Sequence, residues 1–540
     1  MNPRKSLRVL LPAALLCAMH ASLAAALSEP VRIDTGLVSG RASEEAGVRA
    51  YLGLPYAAPP VGALRWREPQ PAAAWEGVRQ ATAFGPRAMQ ARLFGDMVFR
   101  DSGPSEDCLY LNVWTPAARA SDALPVMFWI HGGGLKAGAS SEPRQDGARL
   151  AGRGVVVVSL NYRMGGLGFL AHPELSRESP HGVSGNYGLL DQVAALAWVK
   201  RNIAAFGGDP GRVTLFGESA GSYSVSMLLA SPLARGLFSG AIAESGAHLQ
   251  RQVAPEPEVA LSQAEQKGVA FASALGARSL AQLRAVPAAD LLRAELGPGG
   301  YNGASFDDRS LPTIDGYVFL RGIRATYLRG EQAHVPLLGG WTADEVRAYH
   351  TLGSARPTAA SFTARVRQRF GDRSDEILRL YPAGSEAEAV RSAGDLEDDL
   401  FMGCATWSLL ELQRRTGQAP VYRYSFDRHV PVPAGTRVNG APATGDDIGA
   451  PHASDIEYVF NTLASKQGVP FEADDWRLSS EIATYWTNFA KTGNPNGDGV
   501  APWPAYTQES GFPVMHLDTR LYSAPETHRE RYLYLSGLPR

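Results

Sequence analysis

Between Phe206 and Gly221 the chain reads FGGDPGRVTLFGESAG, and no other stretch constrains the fold as tightly. An apolar run (Val213, Leu215, Phe216) ends in Gly217-Glu218-Ser219-Ala220-Gly221, and a helical pattern follows through Tyr223, Val225, Met227, Leu228 and Leu229. A strand that becomes a helix through G-x-S-x-G turns so sharply that the flanking positions must be glycine, because a Cβ there would collide with the neighbouring strand or helix. The turn leaves one serine hydroxyl at a strand tip beside a helix N-terminus. Ser219 is therefore the candidate nucleophile. Glycine is common here, 57 of 540 residues, so the motif needs support from the rest of the chain.

That support comes first from the strands. LPVMFWI (Leu124–Ile130) and VVVVSL (155–160) are apolar without alternation, as strands buried on both faces are. Further strands are expected at 109–115, Gly240–Glu244, 335–339 and Val421–Phe426. Residues 31–43 and 48–54 suggest a small antiparallel start, with Trp66 and Trp75 packing locally after it. Helical periodicity runs over 187–206, where Leu189, Leu190, Val193, Leu196, Ala197 and Val199 share a face. The stretches 257–330 and 358–416 are helical in composition, 445–460 is a loop leading into a helix, and 475–491 is a C-terminal helix. Residues 85–107 read as a long surface loop. The class is α/β: a large, mostly parallel sheet with helices on both faces and helical insertions.

A net charge of −2 offers no basic field for nucleic acid, and three cysteines are too few for a disulfide scaffold. Residues 1–26 read as an export signal: Arg4, Lys5 and Arg8, an apolar stretch over 9–19 too short to span a bilayer, then Ala24-Ala25-Ala26. A single domain is expected from 27 to 540, secreted or periplasmic after cleavage near Ala26, with no membrane anchor. Cys108 and Cys404 then remain, and their pairing is left open.

His131-Gly132-Gly133-Gly134 follows the strand Leu124–Ile130. Glycines there let the amides of Gly133 and Gly134 face a substrate oxygen, with the Ala220 N–H as a third donor: the makings of an oxyanion hole. A serine hydroxyl needs an adjacent base, and the base needs a carboxylate. In the order serine, acid, histidine, the candidate bases are His248, His334, His350, His429, His452, His516 and His528.

Several long stretches resemble the type-B carboxylesterases, the family of cholinesterases, carboxylesterases and fungal lipases. They are Glu106-Asp107-Cys108-Leu109-Tyr110-Leu111-Asn112-Val113-Trp114, the segment 206–221, Asn161-Tyr162-Arg163, Asn186-Tyr187-Gly188-Leu189-Leu190-Asp191-Gln192 and Trp503-Pro504. The resemblance covers nearly all the chain after residue 26. It implies an α/β-hydrolase fold and a Ser-His-Glu hydrolase of small-molecule carboxylic esters that calls for no metal and no cofactor. It places the base at His452, in Gly449-Ala450-Pro451-His452, and the acid at Glu345, in LLGGWTADE, with Asp344 as the adjacent competitor and Asp315 as a further acidic candidate. Glu218 is read as part of a buried polar network and Ser245 as a supporting residue.

Three departures from the family matter. Val346 stands where glycine usually follows the acid. Phe84-Gly85-Pro86-Arg87-Ala88 has alanine where the family has the cysteine that pairs with the equivalent of Cys108, so the loop from 88 to 107 lacks that closure. Leu135-Lys136-Ala137-Gly138 puts a lysine where the family carries aromatic or apolar residues. An ammonium at Lys136, together with Arg87, Arg92 or Arg144, would attract anionic substrates, and polycarboxylate (tricarballylate) esters such as fumonisins are the class this suggests. Other readings are a lipase or carbamate hydrolase and, outside enzymes, a cholinesterase-like binding protein that has lost catalysis. Such binding proteins lack the serine or another triad member, whereas all three positions are filled here.

Overall fold

The computed structural model describes residues 29–249, 259–297, 312–346, 356–438 and 441–539. The export signal expected over 1–26 and His350 lie outside the described residues. So do parts of the two helix-rich stretches.

Among the described residues, eleven strands form one sheet. In chain order they are β1 (Arg41–Ala42), β2 (Arg49–Pro55), β3 (Tyr110–Thr115), β4 (Leu124–Ile130), β5 (Val156–Leu160), β6 (Gly208–Glu218), β7 (Gly240–Glu244), β8 (Leu337–Thr342), β9 (Val421–Phe426), β10 (Pro513–Leu517) and β11 (Tyr522–Pro525). Their spatial order is β11-β10-β9-β8-β7-β6-β4-β5-β3-β2-β1. Every pairing from β10 across to β5 is parallel. The margins are not: β5–β3, β3–β2, β2–β1 and β10–β11 are antiparallel. For β10–β11 the cause is the short turn 518–521, since parallel neighbours need a long crossover.

The unbroken apolar runs are explained by two hydrophobic layers. In β4, Val126, Phe128 and Ile130 join one layer while Met127 and Trp129 join the other. The same sorting divides Leu215 from Phe216 in β6 and Val156 and Val158 from Val157 in β5. Helices α1 (Tyr187–Asn202) and α2 (Ala220–Ala230) cover the first layer, with α3 (Glu386–Asp398) and α4 (Cys404–Thr416) packed on the same side. Helix α5 (Ala473–Thr492) covers the other through Leu478, Ile482, Trp486 and Phe489. Each side chain so buried contributes about 1.5–3 kcal/mol of apolar transfer.

Two sequence expectations are corrected. The strand placed at 335–339 is β8, which extends through Trp341 and Thr342. Trp66 does not pack only locally: its indole N–H donates to the Gly166 carbonyl at 2.9 Å. The stretch 85–107 is a surface loop, as expected, and it is pinned at several points. Arg87–Ala88 pairs with Pro104–Ser105, Ala88 is buried, and Ser141 Oγ donates to Asp101 Oδ2 at 2.5 Å. Cys108 and Cys404 are both free and buried.

Candidate active site

The sharp turn between β6 and α2 has the predicted steric origin. A Cβ on Gly221 would lie 2.0 Å from the Ile130 carbonyl oxygen of β4, and one on Gly217 would lie 2.7 Å from the same atom. Ser219 sits between them at φ 57° and ψ −122°, a conformation that L-residues avoid. Its N–H donates to the Glu244 carbonyl at 3.0 Å, which ties the strained residue to β7.

Two further sequence candidates line up from its hydroxyl. His452 Nε2 is 2.9 Å from Ser219 Oγ, and His452 Nδ1 is 2.5 Å from Glu345 Oε2. Glu345 follows β8 and is fully buried; its other oxygen accepts the Thr342 N–H at 3.0 Å. The His452 N–H returns to the Glu345 carbonyl at 3.0 Å, so backbone and side chain both couple the two loops. The His452 side chain keeps 16% of its surface exposed, so the imidazole can be reached from outside. Asp344 faces Ala450 rather than the imidazole. Asp315 is remote in role: its Oδ1 accepts the N–H groups of Tyr317, Val318 and Phe319.

The glycine loop lies against this chain of groups. Gly133 has φ +107°, and a Cβ there would meet the Ala137 carbonyl oxygen at 2.1 Å and Met97 Cε at 3.1 Å. Its own carbonyl accepts from Lys136 and Ala137, closing a tight turn. Ala220 is the first residue of α2, where an amide has no partner within its helix. The family motifs brace the loop from behind. Tyr162 Oη donates to the His131 carbonyl at 2.9 Å, and Arg163 is clamped by Asp191 at 2.8 and 2.7 Å in a buried pair.

Electrostatics are dominated by buried acids. Burial pushes Glu218 up to about 8, with His452 opposing. Burial also works against a charged His452, but Glu218 and Glu345 outweigh it and raise the imidazole to about 9. Glu218 Oε1 lies 3.4 Å from His452 Nε2 and has no hydrogen-bond partner, so the charge on either group bears on the other. Asp455 is raised to about 7 by burial and Glu345, and Glu244 is raised well above its usual range by burial and Asp455. Ser245 Oγ is buried without a partner, and its N–H donates to the Gly340 carbonyl at 2.9 Å.

The cations expected near the cleft divide. Arg87 is paired with Asp101 at 2.5 Å, and Arg144 with Glu142 at 2.8 Å and Asp96 at 3.3 Å, so both charges are neutralised within the protein. Arg92 is exposed, and Lys136 is half-buried on the turn that follows Gly134. Sequence reasoning missed Met97 against Gly133, and Phe401, whose ring lies edge-on 5.1 Å from that of His452. Neither sits in a motif; only the folding of the 88–107 loop and the helical insertion brings them there.

The carboxylesterase family matches residues 28–533. Fumonisin B1 esterase of Sphingopyxis macrogoltabida is 37% identical over 481 residues, covering 88% of this chain and 84% of that protein. Para-nitrobenzyl esterase of Bacillus subtilis (strain 168) is 36% identical over 519 residues, covering 94% and 98%. Among solved structures, a thermophilic PNB esterase matches with a TM-score of 0.77 and 35% identity, over 94% of this chain and 99% of that one. The architecture is that of an α/β-hydrolase. The chain belongs to the carboxylesterase family and is a carboxylic ester hydrolase. Among the described residues no helix is long and apolar enough to cross a membrane.

Proposed function

We propose that this chain is a serine carboxylesterase working through Ser219, His452 and Glu345, as one catalytic domain exported on the signal at 1–26. The observation that carries the reading is the continuous hydrogen-bonded series Ser219 Oγ, His452, Glu345. Ser219 Oγ attacks the ester carbonyl carbon while His452 Nε2 takes its proton. Glu345 keeps the Nδ1 tautomer and stabilises the imidazolium. The amides of Gly133, Gly134 and Ala220 receive the oxyanion, the alcohol leaves with the proton from His452, and water repeats the attack on the acyl-enzyme. Removing one such donor costs about 3–4 kcal/mol of transition-state stabilisation. An activated ester should give a burst of one equivalent per chain, absent in Ser219→Ala; a burst from that variant would sink the assignment.

For the substrate, we propose esters of polycarboxylic acids such as tricarballylate, with Lys136 as the cationic contact. Two observations favour this class: the lysine on the turn behind the oxyanion glycines, and the relationship to a protein named for fumonisin B1. Hydrolysis of a tricarballylate ester and a neutral ester should be compared in wild type and Lys136→Ala. Selective loss on the anionic ester is expected, and equal losses on both refute the role. A lipase is separated by its response to an oil interface.

A further inference from the structure

The turn that carries Glu345 is tied, on the side away from His452, to a helix that the proposed chemistry does not use. Val346 directly follows Glu345, and its N–H donates to Asp398 Oδ1 at 2.7 Å. Asp398 is the last residue of α3 and is 6% exposed. Opposite it, the turn is held by Thr342, Ala450 and His452, all belonging to β8 or to the histidine loop. The Asp398 bond is thus the anchor that the helical insertion supplies. The insertion continues from Asp398 into a wide helical turn (Asp399–Gly403) that carries Phe401 to the His452 ring. One packed element therefore touches the turn of the acid at one point and the imidazole at another.

The carboxyl at 398 is suited to this task. Burial pushes it up to about 9, and the carboxylates of Glu345, Asp344 and Asp399 act in the same direction, while the Val346 N–H opposes. The other charged groups facing the same cavity pair off, Asp395 with Arg531 (2.9 Å apart) and Glu526 with Arg423, and His516, held by Asp427, and His528 line it as well. A neutral carboxyl accepts the Val346 N–H without setting a second negative charge beside Glu345. Position 346 is also where the chain departs from the glycine usual after the acid.

We infer that Asp398 is a positioning residue: its carboxyl oxygen fixes the Val346 amide and so sets the direction from which Glu345 meets His452 Nδ1. The inference rests on the Ser219–His452–Glu345 reading. Its test is steady-state hydrolysis of 4-nitrophenyl butyrate, normalised to folded protein by thermal unfolding. Asp398→Ala should lower kcat about tenfold with KM within about twofold, because an amide at the acid loses its acceptor but no substrate contact is removed. Asp398→Asn keeps an acceptor of the same shape and should recover kcat to within about threefold of wild type. Adding Asp398→Ala to Glu345→Gln should cause no further loss, since the first acts through the second. Should Asp398→Ala fail to fold, Asp398→Leu takes its place with the same expected loss. Wild-type kcat in the alanine or leucine variant, an asparagine variant as impaired as alanine, or multiplicative losses in the double variant would each overturn the inference. Full turnover in Glu345→Gln alone would instead overturn the triad reading.

Discussion

Asp344 and Ala450 exchange two hydrogen bonds: the Asp344 N–H donates to the Ala450 carbonyl at 3.1 Å, and the Asp344 carboxylate accepts the Ala450 N–H at 3.0 Å. This pair fastens the acid turn to the histidine loop two residues before His452, and the same Asp344 oxygen lies 3.9 Å from His429 Nε2, away from the His452 imidazole. The acid that the resemblance favoured and its adjacent competitor thereby acquire different work. Glu345→Gln should lower kcat about a thousandfold or more, because the imidazole loses its anion. Asp344→Asn retains an acceptor for Ala450 and should stay within about tenfold of wild type. Equal losses in a kcat comparison would refute the division.

Ser219→Ala and His452→Ala should each lower kcat about ten-thousandfold, and the double variant should lose little more, because the groups act as a unit. Thermal unfolding midpoints should stay near that of wild type. A residual burst in either variant, or multiplicative losses in the double, would contradict the mechanism.

Asp191→Ala removes the partner of a buried guanidinium without touching Ser219. Arg163 donates to Asp191 from its backbone N–H and twice from its side chain, and both side chains are buried. Leaving that cation unpaired should cost about 3–5 kcal/mol of stability. Denaturant unfolding measures it; a loss below about 1 kcal/mol would show that the pair is not a brace.

The buried acids predict how stability varies with pH. Glu218 and Asp455 hold their protons more tightly folded than unfolded, with folded values raised to about 8 and about 7. Their contribution is complete below the unfolded carboxyl value, about 4, and is lost as pH rises through those folded values. His452, raised to about 9, acts in the same direction: its contribution is complete below about 6.5 and lost as pH rises through about 9. The unfolding midpoint should therefore fall between pH 5 and 9, roughly the interval these values span. Glu218→Gln should flatten that fall and move the acid limb of kcat/KM to lower pH, because one of the charges raising His452 is gone. An unchanged slope and limb in the variant would count against this electrostatic coupling.

The strands were legible because their signal is local. Val126 to Ile130 is apolar at every position and Val156 to Leu160 at every position but Ser159, a pattern that points to burial on both faces. Gly217 and Gly221 announced a close approach, and Ile130 is the backbone they approach. The margins were less legible: β10 and β11 are short, and their direction depends on a turn rather than on hydropathy. Choosing His452 among seven histidines took a resemblance, since nothing in the local composition of a loop histidine marks it as a base. Arg87 and Arg144 looked like free cations in the sequence because Asp101 and Glu142 were not visibly opposite them.

Hydropathy period, glycine placement and the spacing of the motifs determined an α/β sheet with a strained serine at the tip of one strand, because each of those properties acts over a few residues. Tertiary structure alone decided which carboxylate faces the imidazole, which cations are already paired, and that a helix end at Asp398 holds the turn after Glu345. Those outcomes depend on directions of approach between segments tens to hundreds of residues apart. Such directions are set by how the two hydrophobic layers pack, not by the composition of any one segment.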